Sequence, residues 1–246
     1  MEKEIGPIEI ASSVIFTAIV FLFTVFFAIA TPATQGFFNF GEIGVYISAL
    51  IGGPIVGAIA GGLGSALADL FLGYAHYAPG TFVIKGIEGF LAGYLFHNLR
   101  RMGRELRLVL GFIVSLIIGY VLLYHGAKGL SLILEIGGKV YSLSLPLWII
   151  ALIVILLGFA LIYTGARGDV FSIMALSCLI AGAEMVLGYY LYEAVVLGYG
   201  FMTAAVELPV NIGQATIGTA VGVPTVRALM EMGVSVSGEE SLREIS

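Results

Sequence analysis

Lys85 and Glu88 lie three residues apart in the stretch GYAHYAPGTFVIKGIEG (73–89), and Asp69 precedes that stretch by one helical turn. A spacing of three puts Lys85 and Glu88 on one helix face. Two kinds of chemistry follow. They can form a buried ion pair, with Lys85 also able to reach Asp69 on the preceding helix. Alternatively, they can form the polar wall of a site that hydrogen-bonds a small molecule or relays a proton. Glu207, Asn211 and Gln214 are spaced by four and then three, so they too share a helix face. Glu42, Glu184 and Glu193 are further acids at the ends or in the middle of apolar runs. In TPATQGFFNFGE (31–42), Gln35 and Asn39 stand among three phenylalanines. Amides beside aromatic rings suit stacking and hydrogen bonding to a flat heterocycle, or a belt at the membrane interface. No GxxxxGK[ST], HExxH or GxSxG pattern is present, so no catalytic residue is assigned and an enzyme is not expected. Three scattered histidines and a lone Cys178 give no metal site, no cofactor and no intrachain disulfide.

The elements that must position these groups are membrane helices. The chain is 59% hydrophobic and 11% charged, with mean hydropathy +1.06; soluble domains carry about 25% charged residues. The net charge of −5 gives no reason to expect nucleic acid as a partner. MEKEIGPIEI is acidic and carries no cleavage signal, so the first apolar segment is expected to be retained. Apolar runs predict spans at 9–31, 43–52, 54–74, 81–99, 108–126, 146–165, 173–193 and 204–224, the second of them short and broken by Gly52-Gly53-Pro54. With both termini cytoplasmic, inner loops and tails hold Lys3, Arg100, Arg101, Arg104, Arg107, Arg167, Arg227 and Arg243, against Lys128 and Lys139 outside. In that topology nearly all the polar groups fall in the outer half of the bilayer, as a cavity open to the outside requires. Gly57, Gly61, Ser65 and Asp69 form a row of mostly small residues that suits close helix packing, with Asp69 read as part of that packing. Asp69 and Gly73 end one helix, Pro79-Gly80 turns the chain, and Thr81 is expected to cap the next.

The run GEIGVYISALIGGPIVGAIAGGLGSALADLFLGYAHYAPGTFVIKGIEGFLAGYL (41–95) resembles the substrate-binding S component of energy-coupling factor (ECF) vitamin transporters. MVLGYYLYE (185–193) and LPVNIGQATIGTAVGVP (208–224) match the family's fifth and sixth helices in order. The resemblance implies high-affinity capture of a small vitamin or precursor at the outer face of the cell membrane. It also implies a separate transmembrane coupling protein and two cytoplasmic ATPase subunits as partners. The expected fold is a single all-α integral membrane domain: an S-component core over 9–99 and 173–227, an inserted helical pair at about 104–168, and a short polar tail at 233–246. The pair raises the family's six helices to about eight, and its lack of intramembrane charge predicts a peripheral position. The first helix offers only Ser13-x-x-x-Thr17 where the family carries AxxxA docking rows, and Glu42 stands where many relatives have Asp.

The candidate ligand-binding residues are Gln35, Phe38, Asn39, Tyr77, Lys85, Glu88, Glu184, Tyr189, Asn211 and Gln214, with Phe37 as a further stacking ring. Gly57, Gly61, Ser65, Asp69, Ser13 and Thr17 are assigned to helix packing or docking. One lysine among several acids favours a neutral or weakly cationic ring compound of pyrimidine, pyridoxine or flavin type. The alternatives are a stand-alone proton-coupled secondary transporter and a structural membrane subunit.

Overall fold

The computed structural model describes residues 7–235. Lys3, Arg243 and the tail from 236 onward lie outside the described residues. Helix α1 (Pro7–Phe26) stops short of the predicted end at Thr31, because the next residues pair as a ribbon: β1 (Ile29–Thr31) runs antiparallel to β2 (Gly36–Phe38). Gln35 closes that ribbon at φ 54.

Helix α2 (Gly41–Leu72) contains the predicted break. Gly53 adopts φ 84 and ψ −175, a combination that a side chain would forbid. Pro54 then starts a second arm with its φ already set for helix. The arms fold back on each other: a Cβ on Gly57 would lie 2.8 Å from Ala49 Cα, and one on Gly61 would lie 3.3 Å from the Val45 side chain. In a straight helix, eight residues would separate Ala49 from Gly57 by about 12 Å. The segment 41–52 is therefore an independent helical arm, antiparallel to 54–72, and Val20 of α1 touches both at Gly44 and Gly64.

Helix α3 (Ala78–Leu99) packs against the second arm with its backbone almost in contact. A Cβ on Gly57 would sit 2.6 Å from Gly89 O, and one on Gly61 would sit 2.6 Å from Lys85 O. This is the close packing expected for the Gly57–Gly61 row. The α2–α3 turn is set earlier than expected. Gly73 ends α2 in the left-handed region at φ 90, and α3 starts at Ala78 with Pro79 in its first turn. Thr81 thus lies inside the helix and does not cap it. Helices α4 (Arg104–Gly126) and α5 (Leu147–Arg167) pair with each other and lean on α6 (Val170–Leu191). Leu116, Ile155 and Phe159 remain largely exposed, as lipid-facing side chains do. Arg107 ties the α3–α4 turn to the end of α5 by donating to Met102 O (2.6 Å) and Gly165 O (3.1 Å).

The segment between α4 and α5, expected to be a loop, folds into strands β3 (Ser131–Ile136) and β4 (Lys139–Ser144). Strand β3 also pairs with β1 at Ala30↔Glu135, giving a four-stranded sheet in the order β2-β1-β3-β4. After α6 a π-turn (Tyr192–Val196), a short α7 (Phe201–Ala204) and a 3-10 turn (Ala205–Glu207) lead into α8 (Leu208–Glu231), four residues later than the predicted span begins. Helix α8 packs parallel to the first arm of α2, where Gly218 meets Glu42 and Gly222 meets Tyr46.

Five helical stretches among the described residues are long and apolar enough to cross a membrane: Glu9–Phe26, Gly41–Leu72, Arg104–Gly126, Leu147–Arg167 and Val170–Val196. Helices α3 and α8 have the length, at about 33 Å and 36 Å, but they carry the polar residues described next.

Candidate functional site

The polar groups gather at the end of the bundle that the β1–β2 ribbon covers. At the base lies a buried charge cluster. Lys85 Nζ donates to Glu42 Oε1 from the start of α2 and to Glu88 Oε2 at 3.1 Å. Tyr46 OH donates to the other Glu88 oxygen at 2.8 Å. Glu42, Glu88 and Tyr46 are essentially inaccessible. Lys85 thus pairs with Glu42 and Glu88, and Asp69 is not its partner. The two arms of α2 explain this: Glu42 comes down beside Lys85 because the Gly53 reversal returns the first arm to the α3 face.

Above the cluster, a small cavity is lined by Thr24, Asn39, Asp69, Tyr77, Lys85, Tyr189, Glu193, Glu207, Asn211 and Gln214, together with Gly36, Phe37, Ser65 and Thr81. Its volume is about 40 Å³, room for roughly three waters. The amides knit the ribbon to α8: Asn39 N donates to Gln214 Oε1 (2.8 Å), and Gln214 Nε2 donates to Asn211 Oδ1 (2.8 Å). Tyr189 OH donates to Thr81 Oγ1 (3.0 Å) while its ring faces Lys85 Nζ at 5.6 Å. Tyr77 OH reaches both Thr34 O (2.9 Å) and Glu193 Oε1 (3.2 Å), and Thr34 donates to Glu207. Burial, reinforced by Glu193 and Glu207, pushes the Tyr77 hydroxyl well up, so it stays protonated and donates. Tyr77 and Thr34 therefore latch the ribbon to the start of α3 and the end of α6.

The structure brings together Asn39, Tyr77, Lys85, Tyr189, Asn211 and Gln214 from the expected set. It places the other four elsewhere. Gln35 is exposed at the ribbon turn. Phe38 packs edge-on against Phe40, 5.5 Å between ring centres. Glu88 lies beneath the cavity as the partner of Lys85 and Tyr46. Glu184 faces away toward α4, among Leu91, Ile117, Ile118 and Leu187.

Ser65 and Asp69, assigned by their spacing to packing, line the cavity, as do Glu193, Glu207 and Thr24. Tyr46 carried a signal that sequence reasoning passed over, since it lies one turn after Glu42 on the same face. Ser13 bonds back to Glu9 O, 2.7 Å away, and Thr17 O lies against Gly64, so both sit where α1 meets α2.

The family model described as ECF-type riboflavin transporter, S component, matches residues 7–167. The chain belongs to this family. As an S component it is a membrane transport protein, not an enzyme, and it lies in the cell membrane as a multi-pass chain. It is also 46% identical over 99 residues to a protein of Pyrococcus woesei described as an uncharacterized protein in gap 3'region. That alignment covers 40% of this chain and 66% of the relative, so the chain spans just under two thirds of that protein's length.

Proposed function

We propose that this S component captures a small vitamin or vitamin precursor from outside the cell and delivers it inward with an ECF coupling protein and two ATPase subunits. The ligand is a neutral or weakly cationic heterocycle of pyrimidine, pyridoxine or flavin type. One observation carries this reading: side chains from the ribbon, α2, α3, α6 and α8 converge on one cavity that mixes amides, carboxylates, a lysine and the rings of Phe37, Tyr77 and Tyr189. Small-molecule sites have this composition. Lys85, Asn211, Gln214 and Asn39 supply hydrogen bonds, and the rings cover or stack on the ligand. A ring compound displaces more than three waters, so the ribbon or Tyr77 moves to admit it.

The topology proposed with this function has about eight crossings and both termini in the cytoplasm. The core is 9–99 and 173–227, and α4 and α5 form an added pair at its edge. The antiparallel arms of α2 support counting 41–52 as a crossing. Arg100, Arg101, Arg104 and Arg107 then lie on the cytoplasmic side.

Native mass spectrometry of the purified protein tests capture directly, through a co-purified small molecule. An empty protein that is also not stabilised by any of a panel of vitamins would end this reading. Reconstitution tests the partners. Uptake into liposomes is expected only with the coupling protein and ATPases present, and uptake without them would indicate a secondary transporter.

A further inference from the structure

Two buried carboxylate oxygens at the cavity have no partner among the described residues: Asp69 Oδ2 and Glu193 Oε2. Both residues are deeply buried, 4% and 2% exposed, and both line the cavity. They approach it from separate elements, Asp69 from the last turns of α2 and Glu193 from the π-turn after α6. A buried acceptor without a donor is costly, and protein interiors rarely leave one so. Glu88 and Glu207 nearby are supplied, the first by Lys85 and Tyr46 and the second by Thr34, while Glu42, which does not line the cavity, also keeps one oxygen without a partner. The charge is equally one-sided. Lys85 is the cation lining the cavity among the described residues, and it is already engaged by Glu42 and Glu88. Asp69, Glu193 and Glu207 therefore present carboxyl groups to the ligand with no counter-charge left for them.

Resting on the capture reading above, we infer that Asp69 and Glu193 are the specificity residues of this site: they accept hydrogen bonds from N–H or O–H groups of the ligand and reject its phosphorylated form. The ligand is thus the free vitamin or precursor, bearing hydroxyl or amino donors at two separated points. A phosphate would bring further acceptor oxygens to a wall where two carboxyl oxygens already lack a donor. Polyol hydroxyls and an amine satisfy the same two acceptors, so matched probes must separate them.

The test measures binding to the purified full-length protein in detergent for three pairs: riboflavin and its 5′-monophosphate, pyridoxamine and its 5′-phosphate, thiamine and its monophosphate. The unphosphorylated member of at least one pair is expected to bind at least about tenfold more tightly than its phosphate. Riboflavin as the binder assigns the donors to hydroxyls, and pyridoxamine or thiamine assigns them to an amino group. Asp69→Asn and Glu193→Gln, which keep shape, are each expected to weaken that ligand about tenfold and to narrow its preference over the phosphate. Equal or tighter binding of a phosphorylated member overturns the inference and leaves vitamin capture standing, as does wild-type affinity in both variants. Failure of all six probes also overturns it, and capture is then judged by the co-purified molecule. The wild-type preference is read without any variant, so a folding defect in either substitution does not remove the test.

Discussion

Lys85 is held by two carboxylates from different parts of the chain, and that makes it a structural residue besides the binding role proposed for it. Removing one partner of a buried ion cluster strands the others and costs about 3–5 kcal/mol. Lys85→Met is therefore expected to lower the thermal unfolding midpoint in detergent sharply. Adding Glu42→Gln and Glu88→Gln to it should recover much of the loss, because no buried charge is then left unmatched. Unchanged stability in Lys85→Met would show that the cluster is not holding α2 to α3. Tyr46→Phe deletes one donor to Glu88 and should cost about 1–3 kcal/mol in the same measurement, since the carboxylate cannot turn to water.

At the scale of elements, the α2–α3 contact depends on bare backbone. A methyl group at Gly61 would meet Lys85 O at 2.6 Å, so α3 must shift and carry Lys85 with it. Gly61→Ala should destabilise by about 1–3 kcal/mol and weaken ligand binding as well. A variant with lower stability and intact binding would show that α3 shifts without moving the cavity wall. Helix α6 offers a test by pH. Its N-cap, Asp169, accepts from Ser172 Oγ (2.7 Å) and Ser172 N (3.1 Å). These bonds, with Arg167 nearby, hold its carboxyl below the ordinary Asp value of 3.8. A lowered pKa stabilises the fold above that ordinary value, and the contribution is lost as pH falls through the folded value. Asp169→Ala should thus cost about 1 kcal/mol near neutrality, and its gap from wild type should close in acid. A gap that is constant with pH would contradict the cap.

Over the whole molecule, the four-stranded sheet joins two distant parts of the chain. Strands β3 and β4 sit between α4 and α5, yet β3 pairs with the ribbon that covers the cavity. The outlying helical pair is therefore mechanically linked to the ribbon over the cavity. Replacing 131–144 with a short flexible linker should speed amide exchange in residues 29–38, because the ribbon loses a neighbouring strand. Unchanged exchange there would mean that Tyr77 and Thr34 alone hold the ribbon down. Faster exchange accompanied by faster ligand release would identify β3–β4 as part of the cover.

Much of this protein was legible in its sequence, for reasons that are local. Apolar runs of about twenty residues mark membrane helices, and the Gly53-Pro54 break interrupts one of them. A row of small residues every four positions suits a close helix contact, which Gly57 and Gly61 make. Six of the ten expected site residues reach the cavity, and Asn211 and Gln214 reach it together because their i, i+3 spacing puts them on one helix face. What the spacing could not supply was the neighbour across the bundle. Lys85 had Glu88 and Asp69 as partners by distance along the chain. It takes Glu42 because Gly53 folds α2 back on itself. That reversal also leaves Asp69 facing the cavity, where periodicity alone assigned it to packing. The ribbon's partner strand lies about a hundred residues away, beyond any local pattern. Helix periodicity is a property of neighbours in sequence, whereas the pairing of charges and strands depends on where the chain returns, and only the tertiary structure decides that.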